Sequence, residues 1–388
     1  MIKYNKIEFK KSSIIFIYGE NAKNFFYIIS KGSAVSYNYF DENYNIYHKK
    51  GDIIGLVNAA VNVPYFETVK AEEDTEVMEI NINELDKITN IHLIKKLYDH
   101  LTNVMEIRLN QYFYIFSKEK NIPFKKESDI LKIAEVYKNN VYDDAAYKMY
   151  NKYIELNGES KEIKKIMSKI KPSNTASLVI DGIYKLEKGT CIFTELESAD
   201  KLYIILSGKV GIYTMFNSKI ITRTIYIDNE IINGYNSLAN NKMLITTAIA
   251  IEDTIIKIFK KEDMLELVKT DKELRVRSIK FLSMRIYTIM RSINSFSING
   301  ITSKVLLILE SFIRMERLFK ETNTIKSKYN IYDIFSMIGV EENEYSLREI
   351  KKIKTININE NGNIIFPDIR KFMREYKKYK NINSSKTE

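Results

Sequence analysis

The chain has 388 residues, 45% of them apolar and 28% charged, which suits packed cores over roughly two to four domains and argues against a membrane protein. Its formal charge of +10 permits nucleic-acid or anionic-surface binding, but lysine is abundant throughout, so clustering matters more than the total. One cysteine, Cys191, excludes an internal disulfide framework and a four-thiolate cluster, and three scattered histidines (His48, His92, His100) point to no metal site.

No run approaches the roughly 18 apolar residues of a spanning helix. The start, Met-Ile-Lys-Tyr-Asn-Lys, has no long apolar core of the kind a signal peptide carries. The expectation is a cytoplasmic protein with no membrane insertion.

Residues 7–85 read as many short strands. Ile14 to Ile17 stops at Gly19, Phe25 to Ile29 at Lys31-Gly32, and Ala34 to Phe40 at the polar turn Asp41-Glu42-Asn43; Tyr44 to His48 runs into Gly51. Strands at this spacing with turn chemistry between them indicate a β sandwich or barrel. From about 84 to 118 the period becomes helical, through Ile94, Leu97, Leu101, Val104, Met105, Leu109 and Tyr112.

Residues 127–170 read as a helical hairpin. Ser128 or Asp129 is the candidate N-cap, Asn139-Asn140 the break, and Asn157-Gly158 the stop, with Lys161 to Ile170 as a third helix. Ala134, Tyr137, Ala146 and Tyr150 fall at small and aromatic positions that resemble one tetratricopeptide repeat. One copy reads as a spacer, because a stable binding groove takes several stacked repeats.

Residues 178–260 then repeat the β region. Tyr27-Ile28-Ile29 and Gly32 recur as Tyr203-Ile204-Ile205 and Gly208, 176 positions later, and Ala71 before Glu73-Asp74-Thr75 recurs as Ala250 before Glu252-Asp253-Thr254, 179 later. So few gaps over so long a stretch imply a duplicated β domain. A long helix follows over 276–298. Ile279, Leu282, Ile286, Ile289, Ile293 and Phe296 are spaced 3, 4, 3, 4, 3, an a/d seam that suits a two-helix dimer interface better than a globular face.

The last segment offers a helix from Thr302 to Phe319, a second from Ile331 to Ile338, a Gly339 turn, and a third from Glu342 to Ile353. Thr355 to Ile358 and Ile364 to Phe366 flank Asn361-Gly362, a strong hairpin signal, and a basic final helix carries Arg370, Lys371, Arg374, Lys377, Lys378 and Lys380. This is the order of a winged helix-turn-helix. The expected division is 1–118, a β domain with its long helix; 119–175, the spacer; 176–298, a second β domain with the dimer helix; and 299–388, the winged helix with its basic tail. The class is α+β multidomain.

This order resembles the Crp/Fnr family of bacterial transcription regulators with an extra cyclic-nucleotide-binding-like domain in front. The resemblance implies a β-roll that holds a cyclic nucleotide, a dimerising helix and a DNA reader. In the family, Gly-Glu and then Arg-Ser/Thr-Ala hold the ribose and the cyclic phosphate. Here Gly51-Asp52-Ile53-Ile54-Gly55 keeps the glycine frame, but Leu56 takes the Glu position and Tyr65 or Phe66 the Arg position, with Thr68 beyond. In the second copy the frame from Asn229 to Gly234 lacks the Glu, and Leu244 takes the Arg position ahead of Thr246 and Thr247. A buried phosphate without a paired cation is costly, so cyclic nucleotide is disfavoured as a cofactor at both sites. The DNA reader also departs from the pattern, opening on Glu341, Glu342 and Glu344. Glu342 and Glu344 are candidates for cytosine amino groups, and Arg348, Lys351, Lys352 and Lys354 for phosphates. The candidate partners are a second copy of the chain, double-stranded DNA, and a small ligand or protein. No nucleophile–base pair stands out, so an enzyme is not expected. The rival reading is a scaffold whose winged helix no longer reads DNA.

Overall fold

The structure, a computed structural model, describes residues 3–38, 45–119, 129–172, 176–216, 218–232, 243–318 and 322–384. The expected Asp41-Glu42-Asn43 turn, Ser128 and Gly234 lie outside them.

The first β-roll is built from β1 (Tyr4–Phe9), β2 (Ile14–Phe16), β3 (Phe25–Lys31), β4 (Ala34–Asn38), β5 (Ile46–His48), β6 (Ile53–Ile54), the short helix α1 (Leu56–Val61), β7 (Glu67–Ala71) and β8 (Thr75–Asn81). Two antiparallel four-stranded sheets result, in the orders β1-β8-β3-β6 and β2-β7-β4-β5. Alternation along β7 and β8 buries Val69, Ala71, Thr75 and Val77. A 3-10 turn (Ile82–Lys87), capped by Asn81, separates β8 from the long helix α2 (Ile91–Glu119). The helical period expected from about residue 84 is thus interrupted. Asn90 starts α2 afresh, its carboxamide oxygen accepting from the His92 and Leu93 amides at 2.9 and 3.2 Å.

Asp129 caps α3 (Ile130–Asn139), which pairs with α4 (Asp143–Asn157) and is followed by α5 (Lys161–Met167). Ala134, Ala145, Ala146, Tyr137 and Tyr150 are fully buried there. The hairpin shares one core with Cys191, Tyr213, Met215 and Ile249 of the second β-roll.

The second β-roll comprises β9 (Ser177–Ile180), β10 (Ile183–Leu186), β11 (Cys191–Phe193), β12 (Lys201–Ser207), β13 (Lys209–Phe216), β14 (Lys219–Ile227), β15 (Ile231–Ile232), β16 (Thr247–Ala250) and β17 (Thr254–Lys260). Its sheets run β15-β12-β17-β10-β9 and β11-β16-β13-β14, the order of the first roll with β9 added at an edge. The duplication extends to irregularities. The register slips between Ile29 and Lys31 on β3 and between Ile205 and Ser207 on β12. Behind each slip sits a glycine at positive φ, Gly32 at 81° and Gly208 at 96°. A Cβ there would lie 2.7 Å from the Asp74 carbonyl oxygen or 2.6 Å from that of Asp253. The turn after the fifth strand repeats too. The Lys49 amide donates to the Asp52 carboxylate at 2.8 Å, and the Ile227 amide to that of Glu230 at 2.9 Å.

Helices α6 (Lys261–Thr270), α7 (Lys272–Phe296) and α8 (Ile301–Arg317) follow, then β18 (Ile325–Asn330), α9 (Ile331–Ile338), α10 (Glu344–Ile350), β19 (Asn357–Ile358), β20 (Asn363–Phe366) and α11 (Ile369–Ser384). Strand β18 was not anticipated from the sequence, although Ile325, Ser327 and Tyr329 are buried at alternate positions. It completes a sheet in the order β18-β20-β19. Asn330 and Asp333 form a capping box at the start of α9, and Gly339 ends the helix in the left-handed region at φ 65°.

The chain forms two compact units. One takes residues 1–112, 265–325 and 367–388; the other takes 113–264 and 326–366. The segment 299–388, expected as one module, therefore contributes to both.

In the first unit, α7 packs on α1, on the 3-10 turn and on α8. Ile279, Ile286, Ile289 and Ile293 are buried by the chain itself, and Leu282 and Phe296 are half-buried. This corrects the dimer-seam reading. The apolar stripe is an intramolecular face, because the helix crosses the first β-roll and has no need of a second copy to cover it. Arg275 anchors its start. The guanidinium, 2% exposed, donates to the carbonyls of Leu85 (3.0 Å), Asp86 (2.7 Å), Val268 (2.7 Å) and Lys269 (3.1 Å). One turn on, Ser278 hydrogen-bonds the Tyr98 hydroxyl of α2.

In the second unit, α9 lies on β14. Lys209 of β13 pairs with Asp333 at 2.7 Å, both largely buried, and the Tyr329 hydroxyl donates to the Ile225 carbonyl at 3.2 Å.

Candidate functional site

A cavity of about 270 Å³ opens in the first β-roll between β5, β6, the start of α1, the start of β7 and one face of α2. The glycine frame shapes its floor. Gly55, at φ 76°, turns β6 into α1 and points Leu56, Val57 and Asn58 inward. A helical period on α2 brings Lys96, His100, Val104, Ile107 and Arg108 to the opposite wall.

Arg108 is the central polar group, and the sequence reading missed it. It is 2% exposed, and its guanidinium is ion-paired with the Glu67 carboxylate at the head of β7. Nη1 donates to the Gln111 side-chain oxygen at 3.2 Å, and Nε is buried with no hydrogen-bond partner. The cassette segment itself carries no arginine. A cation nevertheless reaches it from the helix, and a carboxylate of the chain already occupies that cation.

Two histidines also face this space. The His48 Nε2 and the Ser36 hydroxyl lie 2.6 Å apart. Burial holds the His48 imidazole below its usual range, against the upward pull of Glu67 and Asp52. Burial, His48 and Lys96 push His100 down to about 3. Both rings are neutral at pH 7. Ser36 is 1% exposed, so its hydroxyl faces no space where a substrate would sit. His92 is exposed and takes no part. Among the described residues no group of three His, Cys, Asp or Glu side chains is placed to hold a metal ion, and no helix is long and apolar enough to cross a membrane.

The candidate residues divide. Gly55, Leu56 and Phe66 line the cavity. Tyr65 does not; it turns into the core, stacked on Phe16 with centroids 4.0 Å apart and planes at 14°. Thr68 accepts from the Tyr18 amide at 3.1 Å and lies off the cavity. Both precede β7, which begins at Glu67, and a bend at Phe66 turns the two side chains apart. Phe66 also stacks on Tyr287 of α7, centroids 6.0 Å apart. The Tyr287 hydroxyl donates to Glu310 at 2.9 Å, and Glu310 is paired with Arg291 at 2.8 Å and with Arg314. Burial alone would raise the Glu310 carboxyl; the two guanidinium groups hold it below its usual range.

In the second roll the three described candidates lie inside the chain. Leu244, Thr246 and Thr247 are buried. Thr247 accepts from the Glu195 amide at 3.3 Å, Thr214 donates to the Glu195 carboxylate at 3.3 Å, and Arg223 donates to Thr214 at 3.4 Å. The Arg223 guanidinium also sits 4.4 Å above the Phe113 ring.

The DNA-contact candidates are all exposed: Glu342 just ahead of α10, Glu344 and Arg348 on it, and Lys351, Lys352 and Lys354 in the turn after it. Asn343 caps α10, accepting from the Ser346 amide at 2.9 Å, and Lys352 pairs with Glu349. The helix has seven residues, shorter than the expected 342–353.

Residues 6–92 and 184–271 each match the family model described as the cyclic nucleotide-binding domain. No curated protein matches the chain. Among solved structures, FixK2 from Bradyrhizobium japonicum is 13% identical with a TM-score of 0.38, covering 50% of this chain and 97% of that one. A CooA mutant from Carboxydothermus hydrogenoformans is 16% identical with a TM-score of 0.37, covering 50% and 87%. The regulatory subunit of a cAMP-independent protein kinase A from Trypanosoma brucei is 15% identical with a TM-score of 0.22, covering 71% and 80%. The two β-rolls, built alike down to their register slips and turns, are cyclic nucleotide-binding domains.

Proposed function

We propose that the chain is a ligand- or partner-responsive regulator of Crp/Fnr type, cytoplasmic and without enzymatic activity. In this reading the first β-roll senses, and a winged helix formed around α9, Gly339, α10 and the β19–β20 hairpin contacts double-stranded DNA. The observation that carries it is the cavity of the first roll, which the buried guanidinium of Arg108 reaches from α2. Cyclic nucleotide is disfavoured, because a phosphate reaching Arg108 would meet the Glu67 carboxylate already there. A homodimer belongs to this reading, through a surface other than the covered stripe of α7.

Calorimetric titration with cyclic AMP, expected to show no micromolar binding, tests the sensing half. A gel shift against random duplex DNA at several salt concentrations tests the other half; absence of binding at low salt overturns it.

A second reading has one observation in its favour. Glu341, Glu342 and Glu344 are exposed at the start of α10, where they suit the helix dipole but repel phosphate. The chain is then a protein-interaction scaffold, and the same gel shift separates the two.

A further inference from the structure

We infer that α11 is itself a contact surface for the phosphate backbone of duplex nucleic acid, an inference that rests on the DNA-binding reading above. Arg370, Lys371, Arg374, Lys377 and Lys378 are exposed and recur at i, i+1, i+4, i+7 and i+8. That spacing puts them on one stripe of the helix, about 12 Å long at 1.5 Å per residue. The opposite stripe, Ile369, Phe372 and Tyr376, is buried, and the helix packs on α8.

Among the described residues none of the five is ion-paired. Asp368, ahead of the helix, is committed to its cap, accepting from the backbone amides of Arg370 and Lys371 at 2.9 and 3.2 Å. Glu375, four residues after Lys371 at the margin of the stripe, is half-buried, so the stripe itself is cationic. The helix is also held from behind. The Tyr376 hydroxyl accepts from Arg291, which is paired with the buried Glu310. A fixed helix presents its cations without a further ordering cost on binding.

The chemistry selects among polyanions. A membrane-surface helix needs a free apolar face, and this one is spent on α8. A single-strand binder stacks bases on exposed aromatics, and Phe372 and Tyr376 are turned inward. What remains is a stripe of two guanidinium forks and three ammonium groups, suited to a row of phosphates.

The test uses the full chain and a random-sequence duplex of about 30 base pairs, with affinity measured between about 50 and 200 mM salt. The triple variant Arg374→Gln, Lys377→Gln, Lys378→Gln should lower the salt slope by about 2.7, so that it loses about 40-fold less affinity than the wild type over that range. All three side chains are exposed, and circular dichroism should show an unchanged fold; Arg374→Lys, which keeps the charge, should keep the slope. A matched α10 variant, Arg348→Gln, Lys351→Gln, Lys354→Gln, separates the two ideas. If it alone lowers the slope, the α11 surface is refuted and the DNA-binding reading stands. No duplex binding by the wild type at low salt refutes both. Binding to phosphatidylserine vesicles but not to duplex also overturns the inference.

Discussion

Arg108 of α2 and Glu67 of β7, 41 positions apart, form an ion pair in which the arginine is nearly sealed from solvent while the glutamate keeps 19% of its side-chain surface. The asymmetry sets what each partner costs to remove. Glu67→Gln strands a buried guanidinium and should destabilise the protein by about 3–5 kcal/mol. Arg108→Met leaves a carboxylate that can turn to water, so its cost should be clearly smaller. Urea titrations of both variants check the order; equal losses would show that the pair is no more than packing.

Protonation of the cavity histidines opposes folding. The folded value of His100, about 3, lies below its unfolded value near 6.5. The stabilisation from keeping the ring neutral is therefore complete above pH 6.5 and is lost as pH falls toward 3. The loss per histidine is at most about 1.4 kcal/mol per pH unit. His48 is shifted the same way. Stability measured at pH 7.5 and 5.5 should fall less in His100→Gln than in the wild type.

The pair network around Glu310 should show up on the acid side. Its carboxyl is held below the usual carboxylate range, so its contribution is present above the unfolded value near 4.5 and disappears as pH drops through the folded one. Glu310→Gln should cost about 3–5 kcal/mol at pH 7. The difference from the wild type should shrink in denaturant titrations below pH 4.

The covered stripe of α7 makes a prediction about association. Ile286 is fully buried within the chain, so Ile286→Ala should cost about 2–5 kcal/mol of stability. Sedimentation velocity should find the same oligomeric state for wild type and variant at matched concentrations. A shift in that state without loss of stability would restore the dimer seam.

The duplicated glycines allow a paired experiment. Gly32→Ala and Gly208→Ala each place a Cβ under 3 Å from a backbone oxygen at a positive φ. Each should destabilise by at least about 1–3 kcal/mol. Similar losses from the two variants, read by differential scanning calorimetry, would show that the repeat conserves mechanics as well as shape.

Much of the architecture was legible in the sequence. The succession of short strands, the helical hairpin with its cap at Ser128 or Asp129 and the Asn361-Gly362 turn rest on local periods and turn residues. The site was less so. Tyr65 and Phe66 were equal candidates until the bend ahead of β7 sent one into the core and the other to the cavity. Arg108 left no mark near the cassette, since helix and strand meet only in three dimensions. The α7 stripe misled for a related reason. A 3-4 spacing states that a helix has a partner and does not say which, and here α1 and α8 supply the cover.

The arginine clamp at the start of α7 has a consequence for how the protein is made. Arg275 reaches carbonyls of Leu85 and Asp86, 190 and 189 residues back, and the backbone passes between the two units four times, after residues 112, 264, 325 and 366. A ribosome that has released the first β-roll has therefore delivered only part of a unit. The cavity-bearing half cannot close until the second roll and the terminal helix have emerged. Such long-range closure is slow and leaves apolar surface waiting, here the α1 face that α7 will cover. Chains truncated before α7 should be recovered mainly as aggregates or chaperone-bound species, however well formed their strands.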